Sequence, residues 1–187
     1  MKFTVHAGST APEDSQATLN VIEKQFGFIP NLFGVLAESP TAVDAYASIN
    51  KALTKSNLNP IEQQVVMITV SAENNCDYCV GAHSAIASMV EMPETILSEL
   101  RQQQSISDAR FDALRHFSLL VVNNKGWISE NDIQKFLNAG YNKRHVLDVI
   151  TMVALKTLSN YVNHIAETPL DEQFSAMEWT HKQDKIA

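Results

Sequence analysis

Twice in the first third of the chain a capping residue is followed at once by proline, then by apolar residues at steps of three and four. Ser39-Pro40 leads into Val43, Tyr46, Ile49 and Leu53, and Asn59-Pro60 leads into Ile61, Val65, Ile68 and Ala72. A side chain that accepts from the free amides of a first turn, followed by a proline whose fixed φ suits that turn, starts a helix. The same pair is out of place in a central strand. Glu62, three residues after Asn59, completes a capping box. This punctuation recurs along the chain and predicts an all-α protein.

Residues 14–26 place Leu19, Ile22 and Phe26 at helical spacing and end at Gly27, a good residue for a left-handed C-terminus. The stretch FIPNLFGVL reads as a connector. Helices are predicted from about 40 to 53 and from 59 to 73. Asn74-Asn75 breaks the second, and another starts near Cys76 and runs to about 90. A short helix opens at Pro93. A longer one follows Ser105-x-x-Asp108, with Phe111, Leu114, Phe117 and Val121 on one face. Ser129 caps a segment ending near Gly140. The last strong helix covers about 143–165, where Leu147, Ile150, Ala154, Leu158 and Tyr161 recur at steps of three and four. The tail from Thr168, polar with isolated Leu170, Phe174, Met177 and Trp179, is expected to pack on a neighbouring subunit.

A chain of 187 residues with 45% hydrophobic content suits one globular domain over 1–187. Six glycines and six prolines are too few for a loop-rich or many-stranded β protein. There are 14 Lys+Arg against 21 Asp+Glu, a net charge of −7, and such an acidic surface repels phosphate backbones. Nucleic acid is therefore not expected as a partner. No apolar run is long enough to span a bilayer, and no basic-then-apolar leader opens the sequence, so a cytoplasmic location is expected.

In a reducing compartment a pair of cysteines points to catalysis or metal binding more than to a structural staple. The only two, Cys76 and Cys79, sit in ENNCDYCVGAHSAIA with His83 four residues further on. Spacings of three and four stack all three on one helix face. At i,i+3 the Cα atoms lie about 5 Å apart, inside the window that a disulfide can close. Cys76, at the helix N-terminus, meets free amides that favour thiolate. Cys79 has His83 one turn on, placed to take its proton. A thiolate that attacks a peroxide becomes sulfenic acid, which a second thiol condenses to a disulfide. The alternatives are buried inert thiols and a metal site. A structural zinc wants four ligands and only three are local, leaving His145 or His164 to supply the fourth. Those two histidines stand about five turns apart on the last helix.

With these residues in view, the chain resembles the carboxymuconolactone decarboxylase superfamily, in its alkyl hydroperoxidase D-like, peroxidase-related branch. The resemblance is carried by LNPIEQQVVMITVSAENNCDYCVGAHSAIA (58–87), FGFIPNLFGVLAESP (26–40) and NHIAETPLDEQF (163–174). It implies an AhpD-like helical fold that assembles as a homo-oligomer, a trimer or hexamer. It also implies a thiol-dependent peroxidase that needs no cofactor. In that reading Cys79 is the peroxidatic thiol, Cys76 the resolving one and His83 a member of the proton relay. A hydroperoxide is the substrate, and a lipoyl-bearing or thioredoxin-like dithiol the reductant. The family's glutamate, twelve residues before the first cysteine, is here Gln64, which can orient a partner but cannot carry a proton. Glu62 and Glu73 are the nearest carboxylates that could replace it. Two other activities stay open: a redox-sensing or scaffolding oligomer, for which Gln64 argues, and decarboxylation of a γ-lactone, which has no use for the cysteine pair. Asn163 and Asn31 are read as structural.

Overall fold

A computed structural model describes residues 2–181. Among them there are nine α-helices and a 3₁₀-helix, and no strand: α1 (Glu13–Phe26), α2 (Asn31–Leu36), α3 (Pro40–Leu53), α4 (Pro60–Glu73), α5 (Asp77–Met89), α6 (Glu94–Arg101), α7 (Ala109–Asn123), α8 (Glu130–Asn138), α9 (Lys143–Ala166) and the 3₁₀-helix Glu172–Met177. The predicted caps are the observed ones. Ser39 accepts from Ala42 N, and Asn59 and Glu62 form the reciprocal capping box. Asp108 and Ser129 cap α7 and α8, and Gly27 closes α1 at φ 81°.

The short helix α2 lies where the sequence predicts a connector. Its six residues are too few to show a repeat of three and four, and all but the first are buried. Leu32, Phe33 and Leu36 join the core shared by all the longer helices. The close approach behind α2 requires Gly34. His6 N donates to Gly34 O at 3.1 Å, and a Cβ at position 34 would stand 2.8 Å from His6 O and from Val5 Cγ1. Because His6 O is backbone, the chain itself would have to move. Gly34→Ala is therefore expected to cost about 1–3 kcal/mol, read as a lower thermal midpoint with the fold retained.

Helix α4 is the axis of the molecule. Every residue from Val65 to Ala72 is buried, and the helix packs on α5, α6, α7 and α9. Helix α9 departs most from the sequence reading. Leu147, Ile150 and Tyr161 of the expected core stripe are 64%, 44% and 57% exposed, and Ala154 is exposed too. The buried face instead holds Val149, Met152 and Leu155 together with Lys156, Ser159, Asn160 and Asn163. The tail also departs from expectation, because it packs on its own chain. Phe174 is buried edge-on to Phe28, and Trp179 Nε1 donates to Arg101 O at 2.9 Å. Arg101 in turn donates to Met177 O and Glu178 O. Among the described residues no helix is long and apolar enough to cross a membrane.

Candidate active site

The turn between α4 and α5 sets the cysteines. Asn75 takes a left-handed φ of 55°, and Cys76 N donates to Ser71 O at 2.9 Å, which turns the chain into α5. Cys76 becomes the N-cap residue and Cys79 lies in the first helical turn. Both are free thiols and both are buried. One face of α9 closes over them. Asn163 Nδ2 stands 3.2 Å from Cys79 Sγ and 3.8 Å from Cys76 Sγ, and Ser159 Oγ lies 3.8 Å from Cys79 Sγ.

Cys79 lines a cavity of about 290 Å³, with His83, Gln64, Tyr46 and Lys156. The other walls are largely apolar and include Phe26, Leu32, Phe33, Met67, Ile86 and Phe174. Cys76 does not line it, so the two thiols are inequivalent: one faces the space a small molecule would occupy and the other stands behind it.

The electrostatics separate the thiols further. Burial pushes Cys79 up, but the Cys76 thiol donating to it, the Lys156 ammonium and the Ser159 hydroxyl together hold it well below the ordinary thiol value. Cys76 is pushed up, first because it is the donor in that hydrogen bond and then by burial. Its place at a helix N-terminus does not offset these costs. Burial opposes the charge on Lys156, yet the facing Cys79 thiolate outweighs it and raises the ammonium's pKa. With both cysteines free, these influences favour a Cys79 thiolate facing a Lys156 ammonium beneath α9.

His83 is depressed well below the usual imidazole value, by burial and then by Lys156. It is neutral. Its Nδ1 lies 2.9 Å from Gln64 Oε1, and since that oxygen only accepts, Nδ1 carries the proton and Nε2 is bare. Gln64 therefore orients the imidazole and fixes its tautomer. Neither carboxylate considered as a substitute reaches the site. Glu62 is held by its cap and by Arg110 at 2.7 Å, and Glu73 is exposed at its helix end. Gln64→Glu would set a carboxylate against Nδ1–H and raise the imidazole pKa by about 1–3 units. NMR titration of the His83 ring checks this, and an unchanged titration would mean the contact is not made.

The sequence reading missed Lys156 and Asn163 as site residues. The signal was there: Lys156, Ser159, Asn160 and Asn163 fall three or four residues apart (156/159/163 and 156/160/163) in the C-terminal half of α9. The suggested fourth metal ligands are elsewhere. His145 Nδ1 accepts from Asn142 N in the cap of α9, and His164 is exposed. Among the described residues no three His, Cys, Asp or Glu side chains converge on a metal position.

The three stretches quoted for the resemblance meet beside this site. Tyr78, between the cysteines, donates to Asp171 Oδ2 at 2.6 Å and accepts from Leu32 N at 3.2 Å. Asp171 Oδ1 accepts from Asn31 N at 2.8 Å, and Asn31 Nδ2 donates to Pro169 O. One buried carboxylate thus ties the start of α2 and the tail to the cysteine helix.

Comparison with known proteins agrees with this assembly. The sequence profile of the Carboxymuconolactone decarboxylase family matches residues 40–123, from the start of α3 to the end of α7. That segment of the chain is similar to the carboxymuconolactone decarboxylase family. The shared fold extends beyond the matched segment. A structure described as an alkylhydroperoxidase AhpD core, an uncharacterized peroxidase-related protein from Ralstonia eutropha JMP134, superposes with a TM-score of 0.84 at 24% identity, covering 97% of each chain. An uncharacterized peroxidase-related protein from Silicibacter sp. TM1040 gives 0.78 at 19% identity, covering 93% of this chain and 95% of that one. The debrominase Bmp8, as a cysteine-to-alanine variant in complex with 2,3,4-tribromopyrrole, gives 0.77 at 15% identity over 95% of each chain. At these identities the likeness is one of fold, and the fold of this chain is AhpD-like. A search of curated proteins finds no match.

Proposed function

We propose that this protein is a thiol peroxidase that reduces organic hydroperoxides through a Cys79/Cys76 dithiol–disulfide cycle. The observation that carries this reading is the inequivalence of the two thiols. Cys79 faces the cavity as a thiolate beside Lys156, and Cys76 stands behind it as a protonated thiol. A thiolate is the nucleophile, and a neighbouring neutral thiol is what condenses with a sulfenic acid.

In the first step Cys79 Sγ attacks the distal peroxide oxygen, the O–O bond breaks, and an alkoxide leaves. Sulfur is oxidised to sulfenic acid, and the alkoxide takes up one proton to become the alcohol. In the second step Cys76 Sγ displaces hydroxide from the sulfenic sulfur, giving water and the Cys76–Cys79 disulfide. A dithiol of the lipoyl or thioredoxin-like class returns two electrons and two protons. Asn163 Nδ2, within reach of both sulfurs, holds Cys79 in line as its charge disappears. The apolar walls favour an organic hydroperoxide over hydrogen peroxide, because burying its carbon part releases water from the cavity. The exposed stripe of Leu147, Ile150, Tyr161 and Ile165 along α9 supports a homo-oligomer, a trimer or hexamer, with that face covered by a second copy.

Addition of one equivalent of cumene hydroperoxide to the reduced protein is expected to remove both free thiols and release one equivalent of alcohol. An unchanged thiol count would overturn the proposal.

The fold shared with a debrominase favours one second reading, reductive removal of bromine from an aromatic ring. The same thiolate would take the bromine while the ring carbon takes a proton, and Cys76 would then expel bromide as the disulfide forms. Bromide released from a bromopyrrole in place of alcohol from a hydroperoxide would select this reading.

A further inference from the structure

Lys156 is fully buried, its Nζ has no hydrogen-bond partner among the described residues, and it lines the cavity that Cys79 faces. A buried ammonium is costly unless it is paired or has work to do. Among the described residues the largest opposing charge on it is the Cys79 thiolate, and the peroxide reaction removes that charge.

The same cavity holds few other acids. Gln25, Asn50, Gln63 and Gln64 are amides and give up no proton. No carboxyl group is among its lining residues. His83 is engaged through its one N–H with Gln64, so the ring can accept a proton but has none free to give. The Tyr78 hydroxyl is donated to Asp171. The titratable groups facing Lys156 are Cys79, Cys76 and His83 from α5 and Tyr46 from α3. α4 adds Gln63, Gln64 and Met67 to the cavity wall on its side, none of them titratable. Burial raises the Tyr46 phenol, which leaves it a weaker acid than an ordinary tyrosine.

We propose that Lys156 is the acid that protonates the departing alkoxide, so that its proton is lost on oxidation of Cys79 and regained on reduction. The proposal rests on the peroxidase reading. The charges balance without any further group. Thiolate, ammonium and hydroperoxide become sulfenic acid, amine and alcohol. Condensation with Cys76 then yields the disulfide and water, with the amine untouched. Of the two protons brought by the reducing dithiol, one returns to Cys76 and one to Lys156. No uncompensated charge is left buried in either redox state, which accounts for a lysine here with no fixed partner.

The test separates charge from acidity. Lys156→Met is compared with the wild type above the titration of the variant's own thiol, where both proteins hold a thiolate. Iodoacetamide, whose leaving iodide needs no proton, is expected to react at rates equal within about twofold. tert-Butyl hydroperoxide is expected to react about 100-fold more slowly with the variant, the usual scale of a lost general acid. Peracetic acid, which releases a stable carboxylate, is expected to lose less than about tenfold. Equal slowing of both peroxides, or slowing of neither, would overturn the assignment. If the variant does not fold, by circular dichroism, the wild type carries the test through deuterated solvent. That solvent should slow its reaction with tert-butyl hydroperoxide and leave peracetic acid unaffected, and an equal effect on both would overturn it. A wild type that reacts with neither peroxide defeats the peroxidase reading itself and this role with it, a result seen before any variant is made.

Discussion

Cys79→Ser is expected to lower hydroperoxide consumption to the uncatalysed background, a loss on the order of 10⁴-fold or more by the scale on which removal of a nucleophile is felt. The expectation follows from position as well as chemistry. Cys79 is the sulfur that lines the cavity, and its charge is held by the Cys76 thiol, Lys156 and Ser159. A serine hydroxyl in the same place meets the same neighbours, but stays protonated and does not attack a peroxide oxygen. Cys76→Ser should behave differently. It keeps a donor beside Cys79, so the first step should proceed, but the sulfenic acid then has no thiol to condense with. One equivalent of peroxide should be consumed, and dimedone should trap a single adduct at Cys79. Equal loss in the two variants would mean that the sulfurs do not have distinct roles.

The largest expected effect on stability is at Asp171. Its carboxylate accepts from the Tyr78 hydroxyl at 2.6 Å and from Asn31 N at 2.8 Å, and the residue is 4% exposed. Alanine there would leave a buried hydroxyl and a part-buried amide unpaired, each at about 1–3 kcal/mol. For a chain of this length the combined loss corresponds to a fall of roughly 4–24 °C in thermal midpoint. The loss should also reach the cavity. The 3₁₀-helix that Asp171 caps carries Phe174, one of its walls, and Leu170 and Met177 O lie against Gly81 of the cysteine helix. Faster proteolysis in the tail and faster alkylation of Cys79 should accompany the lower midpoint. An unchanged melt would show that the tail is not held through this carboxylate.

The helices were legible because their ends are written in residues with local physics: Ser39-Pro40, the Asn59–Glu62 box, Asp108, Ser129 and Gly27 each satisfy or terminate a turn regardless of what packs outside it. α2 was not, since six residues carry no period and its burial comes from distant partners. The face of α9 was misread for a related reason. Polar residues at helical spacing read as a solvated face, and the apolar stripe opposite them as core. Here the polar face is turned inward, because Lys156, Ser159 and Asn163 face the thiols. The cysteines and His83 were legible as a group from spacing alone. Which sulfur ionises was not, because that depends on a lysine 77 residues beyond Cys79 in the chain. His83, expected to relay protons, is held neutral by burial and oriented by Gln64. The absent glutamate thus leaves a positioning contact intact, while the charge in the site comes from α9.

The central claim is that Cys79 is a thiolate at neutral pH and reacts as one with a hydroperoxide. The most direct measurement is the second-order rate constant for cumene hydroperoxide with reduced protein, followed across pH. Because the folded site lowers the Cys79 pKa, the account predicts a rate constant that is flat through neutrality and falls only on the acid side. A rate constant that climbs about tenfold per pH unit toward the free-cysteine value of about 8.5, as for an unactivated thiol, would contradict it.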